Sequence, residues 1–122
     1  MKDKEVILVL GASEKADRYS NKAVRMLQSY GYSVVAIGNR IGSINGVEIQ
    51  TEKVIKKPIH TITLYLNSSN QRLFYSFILD SMPKRVIFNP GTENEELIEI
   101  LEEKGIECVQ DCTLVMLQTG IF

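Results

Sequence analysis

The sequence lacks the features that identify membrane and nucleic-acid-binding proteins. No apolar run approaches the roughly 20 residues that a helix needs to cross a bilayer, and the run at Val6–Leu10 is too short for a signal peptide. The 14 Lys and Arg residues are balanced by 15 Asp and Glu residues, which argues against binding nucleic acid through bulk positive charge. We therefore expect a cytoplasmic protein that binds neither membrane nor nucleic acid.

Strand-like and helix-like segments alternate along the chain of 122 residues. Short apolar segments predict strands at residues 5–10, 33–37, 61–66, 85–88 and 106–109. Helical patterns lie between a cap at Ser20 and Gly31, after the N-cap candidates at 67–70, at 93–104 and at 113–118. The first of these helices has a predicted apolar stripe at Ala23, Val24, Leu27 and Tyr30. Segment 47–57 fits neither pattern and suggests a short extended piece and a helical turn. The alternation predicts one three-layer α/β domain over residues 1–122, a Rossmann-like, doubly wound parallel sheet of about five strands.

The predicted topology places five loops at one edge of the sheet, where ligands of open α/β sheets bind. These loops are 11–20, 38–42, 67–70, 89–92 and 110–113. Gly11 allows a tight turn after the first strand and lets a phosphate approach main-chain N–H groups. The second and third glycines of a G-x-G-x-x-G motif are missing. Arg18 precedes the first predicted helix, where its charge and the helix dipole could act together on a pyrophosphate.

The end of the second predicted strand distinguishes between nucleotide ligands. NAD-binding domains place Asp or Glu there to accept the ribose hydroxyls. This chain has Asn39 and Arg40 instead. Asn39 can still bond a ribose hydroxyl, whereas Arg40 is either a solvated loop residue or a partner for a phosphate on that ribose. NADP and coenzyme A both carry such a phosphate, so both remain candidates.

Histidine and cysteine are too few to supply an evident metal site or catalytic apparatus. Cys108 and Cys112 are four positions apart, and no further Cys or His pair completes a zinc site. The only histidine, His60, precedes a strand and is expected at the edge opposite the ligand. Cys112 would have a lowered pKa if a helix began there, but a small packed residue is the simpler interpretation. We expect no metal, and the sequence favours a non-catalytic protein.

Six motifs extend along almost the whole chain, in the order Val9-Leu10-Gly11-Ala12-Ser13, Arg18-Tyr19-Ser20, Ala36-Ile37-Gly38-Asn39-Arg40, Ile44-Asn45-Gly46-Val47, Asn89-Pro90-Gly91-Thr92-Glu93-Asn94-Glu95-Glu96 and Gln110-Asp111-Cys112. As a set, the sequence resembles the stand-alone CoA-binding-domain proteins, small Rossmann-like relatives of the nucleotide-binding domain of succinyl-CoA synthetase α subunits. The resemblance implies that the 3′-phospho-ADP part of coenzyme A lies across Gly11, Ala12, Ser13, Arg18, Tyr19, Ser20, Asn39, Arg40, Asn67, Ser68, Pro90 and Gly91.

The leading hypothesis is a non-catalytic module that binds coenzyme A or an acyl-CoA through its adenine nucleotide end. One alternative is an NADP-linked oxidoreductase module, which is weakened because 122 residues leave no second domain for a substrate. Another is a regulatory or interaction protein that has kept the fold and lost nucleotide binding. The sequence leaves homodimer formation open.

Overall fold

The computed structural model describes residues 5–122, so residues 1–4 of the predicted domain lie outside the described residues. The strands are β1 (Val6–Leu10), β2 (Ser33–Ile37), β3 (Gly42–Ile44), β4 (Val47–Gln50), β5 (Thr61–Leu64), β6 (Arg85–Phe88) and β7 (Glu107–Gln110). They form one sheet in the order β3-β4-β2-β1-β5-β6-β7. Every neighbouring pair is parallel except β3 and β4, which are antiparallel. The fold is the predicted Rossmann-like α/β fold.

The sheet has seven strands rather than about five, because β3 and β4 form a hairpin that the sequence prediction did not contain. These strands have only three and four residues, too few for a clear hydrophobic alternation. Asn45 and Gly46 connect them with positive φ angles of 48° and 87°, the conformation that Asn-Gly favours in tight hairpin turns. The predicted extended piece of segment 47–57 is β4, which extends the sheet by pairing with the end of β2. The predicted helical turn is wrong, because residues 51–57 contain no helix.

The helices cover both faces of the sheet. They are α1 (Tyr19–Ser29), α2 (Ser68–Gln71), α3 (Tyr75–Ser81), α4 (Glu95–Glu103) and α5 (Thr113–Thr119), with a 3₁₀ turn, Arg72–Phe74, between α2 and α3. Side chains alternate between the faces along β1. Ile7 and Val9 pack in the cluster that includes α1 and α5, whereas Leu8 and Leu10 pack in the cluster of α3 and α4. Within residues 5–122, no helix has the length and apolar character needed to cross a bilayer.

Helix α1 begins one residue before the predicted cap. Arg18 is the N-cap residue and makes no side-chain capping hydrogen bond, while Ser20 lies inside the first turn and is buried. Tyr30, predicted on the apolar stripe, follows the helix and is largely exposed. The remaining stripe residues, Ala23, Val24 and Leu27, are buried as predicted. The helix therefore begins without a side-chain cap.

A buried amide, that of Asn89, ties β5 and β6 to the start of α5. Asn89 Nδ2 donates to Thr63 Oγ1 (2.7 Å) and to the carbonyl of Leu64 (2.9 Å). Asn89 Oδ1 accepts from the N–H group of Thr113 (2.8 Å), whose hydroxyl also bonds Thr63 Oγ1 (2.8 Å). The network fixes the carboxyl ends of the central strands, from which the loops of the candidate site begin.

Substituting Asn89→Ala is expected to lower the free energy of unfolding by about 2–4 kcal/mol, because it leaves the Leu64 carbonyl and the Thr113 N–H group buried without their partner. Urea unfolding measures the change. The control is Asn70→Ala, at an exposed position of α2, which should stay within about 0.5 kcal/mol of the wild type. Equal stabilities of the two variants would show that the network contributes nothing.

Candidate functional site

The carboxyl edge of the sheet contains a switch point between β1 and β5. The chain runs from β1 outward to β2 and β4 and then returns to the other side of β1 to form β5. In open α/β sheets, ligands bind in the crevice formed at such a reversal. The five predicted loops follow β1, β2, β5, β6 and β7, so they lie at the same edge. The loops after β1, β2 and β5 border the switch point.

Two glycines allow the loops at the switch point to approach each other. Gly11 has a φ of 101°, and a Cβ at this position would lie 3.0 Å from the carbonyl carbon of Tyr65. A Cβ at Gly38 would lie 2.3 Å from the carbonyl oxygen of Ala12. The N–H groups of Gly11 and Ala12 both donate to the carbonyl of Ile37, at 2.8 and 2.9 Å. The loop after β1 is therefore held directly on the end of β2.

Because the N–H groups of Gly11 and Ala12 bond Ile37, they are not the donors that a ligand phosphate would meet first. The start of α1 offers such donors, since the first N–H groups of a helix have no partner within it. The N-cap residue, Arg18, supplies no side-chain bond there, and the first turn contains no acidic residue. Three features of the start of α1 would attract a phosphate group: the unpaired N–H groups, the positive end of the helix dipole and the adjacent side chain of Arg18.

A cavity of about 140 Å³ lies between the loops after β1 and β2. Three of its lining residues are charged, namely Glu14, Lys15 and Arg40, and all three are exposed. The others are Ala12, Ser13, Asn39 and Ile41. The structure thus brings together four of the predicted site residues, Ala12, Ser13, Asn39 and Arg40. With two cationic residues and one acidic residue, the lining has a net positive formal charge.

Asn21 supports the first loop of this cavity and was not among the predicted site residues. Its side chain is 1% exposed, and its Nδ2 donates to the carbonyl of Ser13 (3.0 Å). Its Oδ1 accepts from Nε of Arg25 (2.8 Å). The sequence contained one signal for this role, a polar residue next to the apolar stripe of α1. Only the fold shows that the amide faces inward.

Arg18, Tyr19 and Ser20, also predicted site residues, lie at the start of α1 and do not line the cavity. Arg18 and Tyr19 are exposed, and the ring of Tyr19 is 5.4 Å from Nζ of Lys22. Ser20 is buried, with 4% of its surface exposed. Of these three residues, Arg18 and Tyr19 are therefore accessible from solvent, and Ser20 is not.

The remaining predicted residues lie at the ends of β5 and β6, on the side of β1 away from β2. Asn67 is the N-cap of α2, which includes Ser68, and its Oδ1 accepts from the N–H group of Asn70 (2.9 Å). Pro90 and Gly91 are exposed, and the N–H group of Gly91 donates to the carboxylate of Glu93 (2.9 Å). The polar groups of these loops are therefore partly engaged in local hydrogen bonds.

Gln71 joins the loops after β5 and β6 and was not predicted. Its side chain is fully buried, and its Nε2 donates to the carbonyls of Leu66 and Thr92, both at 2.8 Å. Its Oε1 accepts from Nδ2 of Asn94 (2.9 Å), the residue that caps α4. These bonds satisfy a buried amide and make the far side of the carboxyl edge rigid.

Burial is the main cause of the altered pKa values of Tyr65 and Cys108. Burial raises the pKa of Tyr65, which follows β5, to about 12, although the hydroxyls of Thr63 and Thr113 oppose the rise. The phenol therefore stays protonated at neutral pH. Burial, followed by the charges of Glu102 and Glu107, raises the pKa of Cys108 to about 11. Cys108 is thus a weak nucleophile at neutral pH.

Cys112 and His60 lie at opposite edges of the sheet. Cys112 is a half-buried free thiol at the N-cap of α5, after the carboxyl end of β7. His60 precedes β5, at the amino edge as predicted, with its Nδ1 2.7 Å from Oγ1 of Thr61. This separation prevents His60 from serving as a base for the thiol. In the described part of the chain, no three His, Cys, Asp or Glu side chains form a metal-binding group.

Comparison with known proteins points to one family. Residues 5–118 match the family model described as CoA binding domain. The uncharacterized protein YneT of Bacillus subtilis (strain 168) is 26% identical over 106 residues, which cover 86% of this chain and 78% of YneT. A crystal structure of an uncharacterized protein is 46% identical, with a TM-score of 0.95, and the match covers 99% of this chain and 100% of that chain. The structure of cell-free ID.343 from Thermus thermophilus is 25% identical, with a TM-score of 0.88 over 97% of this chain and 90% of that chain.

The contact between the loops after β1 and β2 predicts different effects on stability for Gly38→Ala and Gly42→Ala. A Cβ would lie 2.3 Å from its nearest atom at both Gly38 and Gly42, but that atom is the Ala12 backbone oxygen in one case and the side chain of Glu14 in the other. Gly38→Ala is therefore expected to destabilise the fold by roughly 2 kcal/mol or more, since backbone must move. Gly42→Ala should cost less than about 1 kcal/mol, since a surface side chain can rotate away.

Urea unfolding of the two glycine variants measures both changes. A stability loss at Gly42 that equals the loss at Gly38 would contradict the interpretation that the backbone contact between Ala12 and Gly38 is the rigid one.

Proposed function

The chain belongs to the CoA-binding domain family, and we propose that it binds coenzyme A or an acyl-CoA through the adenine nucleotide end, without catalysing a reaction. The observation that carries the proposal is the cavity between the loops after β1 and β2, where Lys15 and Arg40 meet Asn39. This cavity borders the switch point, the usual nucleotide position in open α/β sheets. Its net positive charge suits a ligand that carries a phosphate there.

The ribose and its phosphate lie in this cavity in the proposed complex. The guanidinium of Arg40 can bind a phosphate through two parallel hydrogen bonds, and Lys15 adds a second positive charge. Asn39 can bond a ribose hydroxyl. Coenzyme A carries a phosphate at the 3′ position of this ribose, which NAD, dephospho-CoA and ADP lack. The positive charges of Lys15 and Arg40 therefore favour a ligand whose ribose carries a phosphate.

The pyrophosphate lies at the start of α1 in the same proposal. The first-turn N–H groups and the positive end of the helix dipole favour an anion there, and Arg18 adds its charge. Tyr19, which is 68% exposed, offers an aromatic surface at the same helix end. Buried Ser20 contributes its backbone at this position, and the turn at Gly11–Ser13 brings the ligand close to the sheet.

The loops after β5 and β6 border the ligand on its other side. Asn67 and Gly91 use polar groups in local hydrogen bonds. We therefore assign these loops van der Waals contact with the ligand rather than hydrogen bonds to it. Ser68 and Pro90 are exposed and face no such restriction. Their part in the site follows from the family resemblance and from their position at the carboxyl edge.

A binding role without chemistry is supported by the positions of the candidate nucleophile and base. The thiol of Cys112 and the imidazole of His60 occupy opposite edges of the sheet. An acid–base or nucleophilic mechanism needs these groups within hydrogen-bond reach of each other or of the ligand. NADP remains the alternative ligand, because Arg40 would also favour its 2′-phosphate.

Thermal-shift titration with coenzyme A, dephospho-CoA, NADP, NAD and ADP tests the proposed ligand. A ligand that binds only the folded state raises the melting temperature according to its affinity. We expect the largest rise with coenzyme A, a smaller one with dephospho-CoA and none with NAD. A larger rise with NADP than with coenzyme A would favour the oxidoreductase module. No rise with any of these nucleotides would contradict nucleotide binding.

Substituting Arg40→Gln is expected to weaken coenzyme A binding about tenfold or more, the effect of losing one charge-assisted hydrogen-bond partner. Dephospho-CoA should be affected less than about threefold, since it lacks the phosphate that Arg40 would bind. Isothermal titration calorimetry measures both dissociation constants. The control is Lys84→Gln, which removes an exposed positive charge just before β6, at the amino edge. An equal rise in both dissociation constants for Arg40→Gln would contradict the proposal that this residue binds the ribose phosphate.

A further inference from the structure

An acidic residue lines the same cavity as the two cationic residues. Glu14 lines the cavity together with Lys15 and Arg40. A site built only to bind phosphate would gain nothing from this negative charge, because it repels the ligand's own charge. Phosphate binding alone therefore does not explain why Glu14 lies at this cavity.

The backbone at the start of β3 holds the carboxylate of Glu14. Its Oε2 accepts from the N–H group of Ser43 at 2.9 Å. Gly42 leaves room for it, since a Cβ there would lie 2.3 Å from Cδ of Glu14. The carboxylate is thus positioned by the hairpin, an element absent from the sequence prediction.

The cations of the cavity do not neutralise this carboxylate. Among the described residues, neither Lys15 nor Arg40 forms a salt bridge with Glu14. Both cations therefore remain available to a ligand anion. The second oxygen of Glu14 has no protein partner among the described residues and remains available to a ligand hydrogen-bond donor.

We propose that Glu14 is a specificity-determining residue for the ribose end of the ligand, an inference that rests on the proposed function. Its carboxylate accepts a hydrogen bond from a ribose hydroxyl and repels a ribose phosphate. Glu14 thereby limits the preference for phosphorylated ribose that Lys15 and Arg40 confer. The chemical class it selects is an adenine nucleotide with at least one unmodified ribose hydroxyl.

The two effects of the carboxylate act in the same direction on ligand choice. A carboxylate can only accept hydrogen bonds, and a hydroxyl that donates to it makes a charge-assisted bond. A phosphate dianion, the main form of a phosphate monoester at neutral pH, is repelled by the carboxylate. In a Rossmann domain that binds NAD, an acidic residue at the end of the second strand accepts a hydrogen bond from the ribose 2′-hydroxyl. Here the carboxylate comes from the loop after β1 instead.

The test is the ratio of two dissociation constants, that of dephospho-CoA divided by that of coenzyme A, measured by calorimetry for the wild type and for Glu14→Gln. Glutamine keeps an oxygen for the Ser43 N–H group and removes the charge. We expect the ratio to rise roughly three- to tenfold, as coenzyme A binds more tightly and dephospho-CoA does not. The control is Glu99→Gln, which removes an exposed charge on α4 and should leave the ratio unchanged.

A second variant, Glu14→Ala, removes the whole side chain and should raise the ratio in the same direction. A merely structural role would shift both ligands equally, so an unchanged ratio in both variants, with coenzyme A still bound, would overturn the inference and leave the proposed function standing. No binding of either ligand to the wild type would overturn both. A raised ratio in the two Glu14 variants and not in Glu99→Gln supports the inference.

Discussion

The contact between the loop after β1 and the end of β2 determines the geometry of the whole carboxyl edge. The carbonyl of Ile37 accepts from the N–H groups of Gly11 and Ala12, and the missing Cβ of Gly38 leaves room for the carbonyl of Ala12. Because this contact involves backbone on both sides, side-chain motion cannot absorb an added atom. The cavity, the start of α1 and the hairpin that follows β2 all take their positions from it.

Buried amides make the rest of the edge rigid around this contact. Asn21 holds the loop after β1, Gln71 joins the loops after β5 and β6, and Asn89 ties β5 and β6 to α5. Each amide is almost fully buried and hydrogen-bonded, so it contributes a defined position rather than mobility. A site held in this way loses little conformational freedom when a ligand binds, which favours affinity from few contacts. The charged groups, by contrast, remain at the surface, where a ligand can reach them.

The alternation of strand and helix signals was sufficient to predict the fold, because buried parallel strands form short apolar runs with few alternatives. The exposed residues of the cavity, Asn39 and Arg40, could be identified because they follow such a run directly. The hairpin of β3 and β4 was not predicted, because strands of three and four residues are too short to show a clear alternation of apolar and polar residues. The supporting amides of Asn21 and Gln71 were not predicted for another reason. A polar residue near a helix start is as compatible with a surface cap as with a buried bond.

The sequence by itself determined the fold class, the loops that lie at the carboxyl edge of the sheet and the residues that follow β2. It did so because hydrophobic periodicity and chain order are local properties of the chain. Only the tertiary structure decided which loop residues meet in one cavity and which backbone donors are already used. Glu14 illustrates the difference, because its carboxylate accepts a hydrogen bond from the N–H group of Ser43, 29 positions later in the chain, and Glu14 lines the same cavity as Arg40. Such a contact depends on how distant segments pack, and no local pattern encodes it.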